Sequence, residues 1–310
     1  DIDVRAREWM DVDAVTGGAN IAIGVSIGGA GAIINAHSNT DAGVFGHLNA
    51  GDVTRVQATL EESTETKSLG GTVGVLAGSL AVGIVNESSE QKARIAEGGW
   101  IESTDRLLVE ADENLKINIQ TGEVNAGLVA AGGTVAEIRD TGLTEAYLGN
   151  ANVGPALDSG SPHVCDPGLS QVRLAAVRTN VDHEFSTSAF ALAAGLFSLA
   201  ATVSDVDDQH QMKSWVGEDA TVVLTEDLLI GSVSELVGDA RLTGIDLGIV
   251  VVSLPELRSN VAPVIETYIA AAHVCVGSDV HLEVDNNNTA FAEQVSVNLG
   301  GLVYAEFDAE

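Results

Sequence analysis

Apolar and polar residues alternate along most of this chain. Ile2, Val4 and Ala6 stand between Asp1, Asp3 and Arg5, and Ile21, Ile23, Val25 and Ile27 between Ala22, Gly24, Ser26 and Gly28. A period of two sends successive side chains to opposite faces of a strand, so the pattern predicts β-strands with one buried face. Helical spacing is poor and capping residues are missing. The 34 glycines argue further against helices, since each would cost roughly 1 kcal/mol relative to Ala.

The alternation comes in copies. DIDVRAREWMDVDAVTGGANIAIGV, from residue 1, aligns without a gap on RLLVEADENLKINIQTGEVNAGLVA, from residue 106. Val4 then matches Val109, Ala6 matches Ala111, Val12 matches Ile117, and Thr16-Gly17 matches Thr121-Gly122. VTRVQATLEESTETKSLGGTVGV, from residue 53, falls halfway between, with Val56 under Val4 and Val73 under Ile21, so the basic period is about 52 residues. Further copies begin at residues 171, 227 and 279; the one from 227 carries Thr243-Gly244 where Thr121-Gly122 stands once one residue is inserted. An insertion around residues 150–170, GNANVGPALDSGSPHVCDPGLS, precedes the weak copy at 171. Six copies without linkers predict one continuous repeat domain over residues 1–310.

Short tandem strands cannot bury an inward face alone and must stack on neighbouring copies. The expected fold is therefore all-β: a right-handed parallel β-helix, or β-solenoid, of about six repeats of ~52 residues. A sandwich or propeller is the alternative, and the ungapped match favours the stack. Two coils per copy at about 4.8 Å would make a rod on the order of 55 Å long. Composition agrees with a slender interior, because 45% of residues are hydrophobic but only 4% aromatic. The uncharged stretch GGTVGVLAGSLAVGIV, residues 70–85, falls short of the roughly 20 residues of a membrane helix. It recurs in altered form near residues 18–34, 122–137, 187–203 and 242–253, as a strand pair does, so no membrane span is expected.

Runs such as LLVEADENLKINIQTGEVNAGLVAAGG and VQATLEESTETKSLGGTVGVLAGSLAVGIVNESSE resemble the repeats of large bacterial exoproteins of the filamentous haemagglutinin and leukotoxin-like adhesin type. The resemblance covers most of the chain; the insertion and the acidity depart from it. It implies an extended β-helical shaft on a secreted or surface protein, working by adhesion or as a spacer.

Forty-five acidic residues against fourteen basic ones give a formal charge of −31, which repels phosphate backbones and anionic lipid, so nucleic acid is not an expected partner. The start at Asp1, without a signal-peptide core, reads as a mature protein or an excised segment. No cap is legible at either end of the repeats, so the expected partners are further copies: end-to-end self-association, or continuation in a longer parent chain, with a surface glycan or cell-surface receptor as a further partner. The expected setting is extracellular or at the cell surface.

Chemistry is thin in this sequence, and no catalytic residue or required cofactor is assigned. Gly24-Val25-Ser26-Ile27-Gly28 fits a nucleophile elbow, but no helix follows and the next copy has no serine there. The seven histidines form no compact ligand motif and are read as solvent-facing or turn residues. Calcium candidates are Asp205, Asp207 and Asp208 in SDVDDQHQ and Asp285 in VDNNNT, where parallel stacking would crowd carboxylates; the spaced EF-hand loop is absent. A carbohydrate-binding or carbohydrate-cleaving β-helix is the enzyme-class alternative, although no carboxylate pair is singled out. The two cysteines, Cys165 and Cys275, fall about two copies apart, some 10 to 20 Å along the rod and beyond disulfide reach, so separate thiols or an intermolecular link are expected unless the insertion folds over its neighbours.

Overall fold

The computed structural model describes residues 1–155, 166–270, 272–306 and 308–309. Among them there is no α-helix, only a 3-10 turn at Pro167–Leu169 beside strands gathered in three parallel sheets. The first sheet stacks the long strands Ile2–Ile21, Val53–Val73, Trp100–Ala126, Gln171–Ala194, Leu228–Leu247 and Val280–Leu299. The second stacks Val25–Ala36, Leu76–Glu87, Val129–Asp140, Phe197–Asp208, Val250–Val261 and Leu302–Ala305, and the third Asn39–Val44, Glu90–Ile95, Leu143–Leu148, Gln211–Val216 and Val264–Ile269. Short strands, among them Asn152–Val153, Thr221–Leu224 and His273–Val276, close the circuit back onto the first sheet.

Registers follow the repeat. Val4 pairs with Val56 and Val56 with Val109; Val109 pairs with Val177 and Val177 with Ile230. This column of β-branched residues therefore stacks one side chain per copy. Thr16 likewise reaches Thr121 through Ser68, as the ungapped alignment requires. Thr243 instead pairs with Phe190 and falls in the column of Gly122, so the copy from residue 227 needs no inserted residue.

The structure corrects the expectation of two coils per copy. Each copy gives one long strand to the first sheet and one strand to the second, and the first five copies give one each to the third, so a copy adds a single spacing of about 4.8 Å and six copies span about 24 Å between the first long strand and the last. Leu69-Gly70-Gly71 continues the long strand, and the chain turns only afterwards, at Gly74. Corner glycines lie one upon another. A Cβ at Gly127 would lie 2.2 Å from the Gly74 carbonyl, and one at Gly195 or Gly248 2.5 Å from the carbonyl of the corner glycine before it, so stacking at this corner excludes a side chain.

A second correction concerns the cysteines. Cys275, on His273–Val276, is disulfide-bonded; the other cysteine of the sequence, Cys165, lies outside the described residues. Pro167, just after the insertion, sits so close to Gly277 that a Cβ there would contact the proline Cβ at 3.4 Å.

Two large apolar clusters and two smaller ones lie in the interior of the described residues; the large ones position the site. One joins the start of the long strands to the third sheet through Val56, Val109, Val177, Ile95 and Leu148; the other joins their later half to the second sheet through Leu115, Ile117, Phe185, Ile138 and Val206. Each fully buried Val, Leu, Ile or Phe contributes roughly 1.5–3 kcal/mol. Among the described residues, Ile2–Ile21 and Val280–Leu299 each pair on one side only. No helix in the described residues is long and apolar enough to cross a membrane.

Candidate functional site

Between the two apolar clusters the inward positions turn polar, and they change from copy to copy. In the second copy they are Glu62, Glu87, Ser89 and Gln91; in the third, Glu113, Asp140 and Thr144; in the fourth, His183, Asp208 and His210. In the fifth, Leu236 is buried and packs with Val261 and Ile265. Pairing puts Glu87, Asp140 and Asp208 in one column of the second sheet and Leu115, His183 and Leu236 in one column of the first.

The side chains of Glu113, Asp140, His183 and His210 have no solvent exposure. His183 Nδ1 lies 3.0 Å from Asp208 Oδ2, and His210 Nδ1 lies 2.9 Å from Asp140 Oδ2. Both Nε2 atoms point towards Glu113: His210 Nε2 is 3.4 Å from Oε2 and His183 Nε2 is 3.8 Å from Oε1. Thr144 Oγ1 donates to Glu113 Oε2 and lies 2.9 Å from His210 Nε2. The backbone completes the frame, with Gly142 N–H donating to Asp140 and His210 N–H to Asp208. Glycine at 142 makes room for the His210 ring, since a Cβ there would come within 2.9 Å of it.

Burial alone would drive the two imidazoles neutral. For His183 the hydrogen bond to Asp208 and the nearby carboxylate of Glu113 outweigh burial and hold its pKa well above 6.5; for His210 the charges of Glu113 and Asp140 also outweigh burial and raise it. Burial likewise opposes ionisation of Glu113 and Asp208, yet the histidines hold both below the ordinary carboxylate range. Glu62 and Glu87 have no such partners. Thr64 donates to Glu62 Oε1 and the Ser89 N–H to Glu87 Oε1, both at 2.7 Å. Their Oε2 atoms are buried without a hydrogen-bond donor, and burial, reinforced by the Glu62 charge, pushes Glu87 up to about 9.

Folded Glu87 keeps its proton to about pH 9, whereas the unfolded chain loses it near 4.5, so the folded state binds more protons between these values and stability falls as pH rises. His183 adds the same sign: its contribution is complete below 6.5 and is lost as pH rises through the higher folded value. Glu113 and Asp208 act oppositely, losing their contribution as pH falls below the ordinary carboxylate range. We expect greatest stability at mildly acidic pH and a loss on the order of a few kcal/mol towards pH 9. Glu87→Gln keeps an acceptor for Ser89 and a donor for Glu62, and should flatten that loss in urea titrations across the pH range. An unchanged slope would remove Glu87 as its source.

Of the residues singled out from sequence, Asp208 alone enters this cluster. Asp205 and Asp207 share its strand but face outward, Asp207 accepting from Gln209 and Asn260; Asp285 lies on Val280–Leu299 in another sheet. The structure thus does not bring the four together. Ser26 is buried and donates to the Asn20 carbonyl as an ordinary strand serine. The expectation of solvent-facing or turn histidines fails for His183 and His210 because both fall in the inward phase, His183 two residues before Phe185 and His210 two before Met212. That phase was the available signal, as it was for Glu113 ahead of Leu115, Ile117 and Ile119.

Enclosed in this way, the cluster can hold charge, share protons or ligate a cation, but it offers no surface to a substrate. Comparisons with family models, with curated proteins and with solved structures find no match to the chain.

Proposed function

We propose that this chain is a non-enzymatic structural segment of an extracellular β-solenoid protein, serving as an adhesin shaft or filament building block. In this reading the three sheets are the faces of a right-handed solenoid with one coil per copy. The observation that carries it is the pair of open terminal strands. On Val280–Leu299 the positions that stack inward elsewhere are bare, with Leu282 51% and Val284 53% exposed. Continuing the columns by one more copy would set Leu282 over Val4, Val284 over Ala6, Asn286 over Glu8 and Ala290 over Val12, apolar upon apolar and amide upon acid. Such a head-to-tail contact does not close on itself and generates a fibre; in a longer parent chain the same surface would receive the next copy. The disulfide at Cys275 supports an oxidising, extracellular setting.

Leu282→Lys with Val284→Lys should abolish end-to-end association without lowering the thermal midpoint, read by sedimentation and electron microscopy at high concentration. A wild-type chain that stays monodisperse and monomeric there would reject self-association.

A glycan-binding role is the second reading. It is favoured by a groove of about 790 Å³ on the outer face of the first sheet, lined by Trp9, Gln57, Asp112, Asn114 and Asn180. Failure to bind a broad glycan panel, with and without calcium, would eliminate it.

A further inference from the structure

We propose that Glu113, His183 and His210 form a buried structural site for a divalent transition metal of the zinc class, closed inside the stack between the third and fourth copies. Two features separate the site from an ordinary buried ion-pair network.

The first is the tuning of the imidazoles. Each histidine commits Nδ1 to a carboxylate, Asp208 for His183 and Asp140 for His210, and turns Nε2 towards the same third residue. A carboxylate on the remote ring nitrogen is what orients a metal-binding histidine and raises its basicity. The second is a pair of atoms left without partners. His183 Nε2 and Glu113 Oε1 are fully buried, make no hydrogen bond, and face each other at 3.8 Å. That is too long for a hydrogen bond, yet a metal with bonds of about 2.0–2.2 Å to nitrogen and oxygen spans it. The ligand atoms of the three residues all lie within 4.8 Å of one another.

Donor chemistry selects the ion. Two imidazoles and one carboxylate suit zinc, copper, iron or nickel, whereas calcium takes six to eight oxygens. Two imidazoles and one oxygen of Glu113 supply three positions of a tetrahedral shell, and the fourth falls to a water that enters with the ion. Thr144, which bonds Glu113 Oε2 and lies beside His210 Nε2, would then support Glu113 alone. Asp140 and Asp208 are positioning residues. Because the site is enclosed, the ion must enter as the chain folds.

The test is to refold the full chain with Zn²⁺, with Co²⁺ or with chelator, remove free metal, and measure bound metal, the visible Co²⁺ spectrum and the melting temperature. The expected result is about one ion per chain, ligand-field bands of tetrahedral Co²⁺, and a higher melting temperature than the chelator-refolded chain. Asp208→Asn, which leaves all three ligands in place, should weaken retention about 10–100-fold. Glu113→Gln should lose the Co²⁺ bands, while Asp285→Asn, at a distant exposed strand, should change nothing. Should Glu113→Gln fail to fold, the Asp208→Asn affinity and the wild-type Co²⁺ spectrum still decide. Wild-type chain that retains no metal after refolding, with a melting temperature indifferent to chelator, overturns the proposal; so does metal retention that Asp208→Asn leaves unchanged.

Discussion

His183→Leu should destabilise the chain by about 3–5 kcal/mol, the cost of removing one partner from a buried charge cluster. Shape is not the obstacle: Leu115 and Leu236 occupy the same column in the copies on either side, so a leucine fits the backbone and the packing. What changes is charge. In the metal-free protein, Glu113, Asp140 and Asp208 would face a single remaining imidazolium, and Asp208 would lose its 3.0 Å hydrogen bond in a place water does not reach. Adding Asp208→Leu should restore part of the loss, because replacing a buried pair by apolar side chains is far less costly than orphaning one member. Urea unfolding of the single and double variants gives the answer. A single variant as stable as wild type would show that the histidine does not hold the carboxylates in place.

Phe185→Ala should cost about 3–5 kcal/mol for a different reason. Phe185 is the largest fully buried side chain among the described residues, and its ring stacks on His183 at 4.9 Å. Its pairing neighbours are Ile117 below and Gly238 above. The space above Gly238 is not spare: a Cβ there would meet Val261 Cγ2 at 2.8 Å and Ser259 Oγ at 2.9 Å, so the neighbours have already closed in and cannot collapse further into an empty Phe185 site. Phe185→Leu should cost markedly less than the alanine variant. Calorimetry on the two variants checks the order, and equal losses would point to the aromatic contact with His183 rather than to volume.

The repeat was legible because valine, isoleucine and alanine recur at the same inward positions, and Val4, Val56 and Val109 stack as the alignment placed them. How many strands each copy gives to each sheet was not legible, because alternation marks a strand but not the neighbour it pairs with or how far it runs. The cluster escaped for a related reason. Glu113 and His210 are nearly a hundred residues apart in a chain that brings them to 3.4 Å by stacking, so no linear spacing could reveal them. Asp208 was noticed for its neighbours Asp205 and Asp207, with which it shares a strand but not a face.

Backbone ladders in a parallel stack are indifferent to the order in which copies are joined, since each strand offers its neighbour the same donors and acceptors. The interior described here is not indifferent. An acidic layer meets a histidine layer, which meets an apolar one, so exchanging the fourth and fifth copies would keep the sheets while setting Glu113 and Asp140 against Leu236 and Val261. The order of the copies is thus written into the core as an address, and duplication of a single copy would disturb it wherever the inserted layer failed to answer its neighbours' charge.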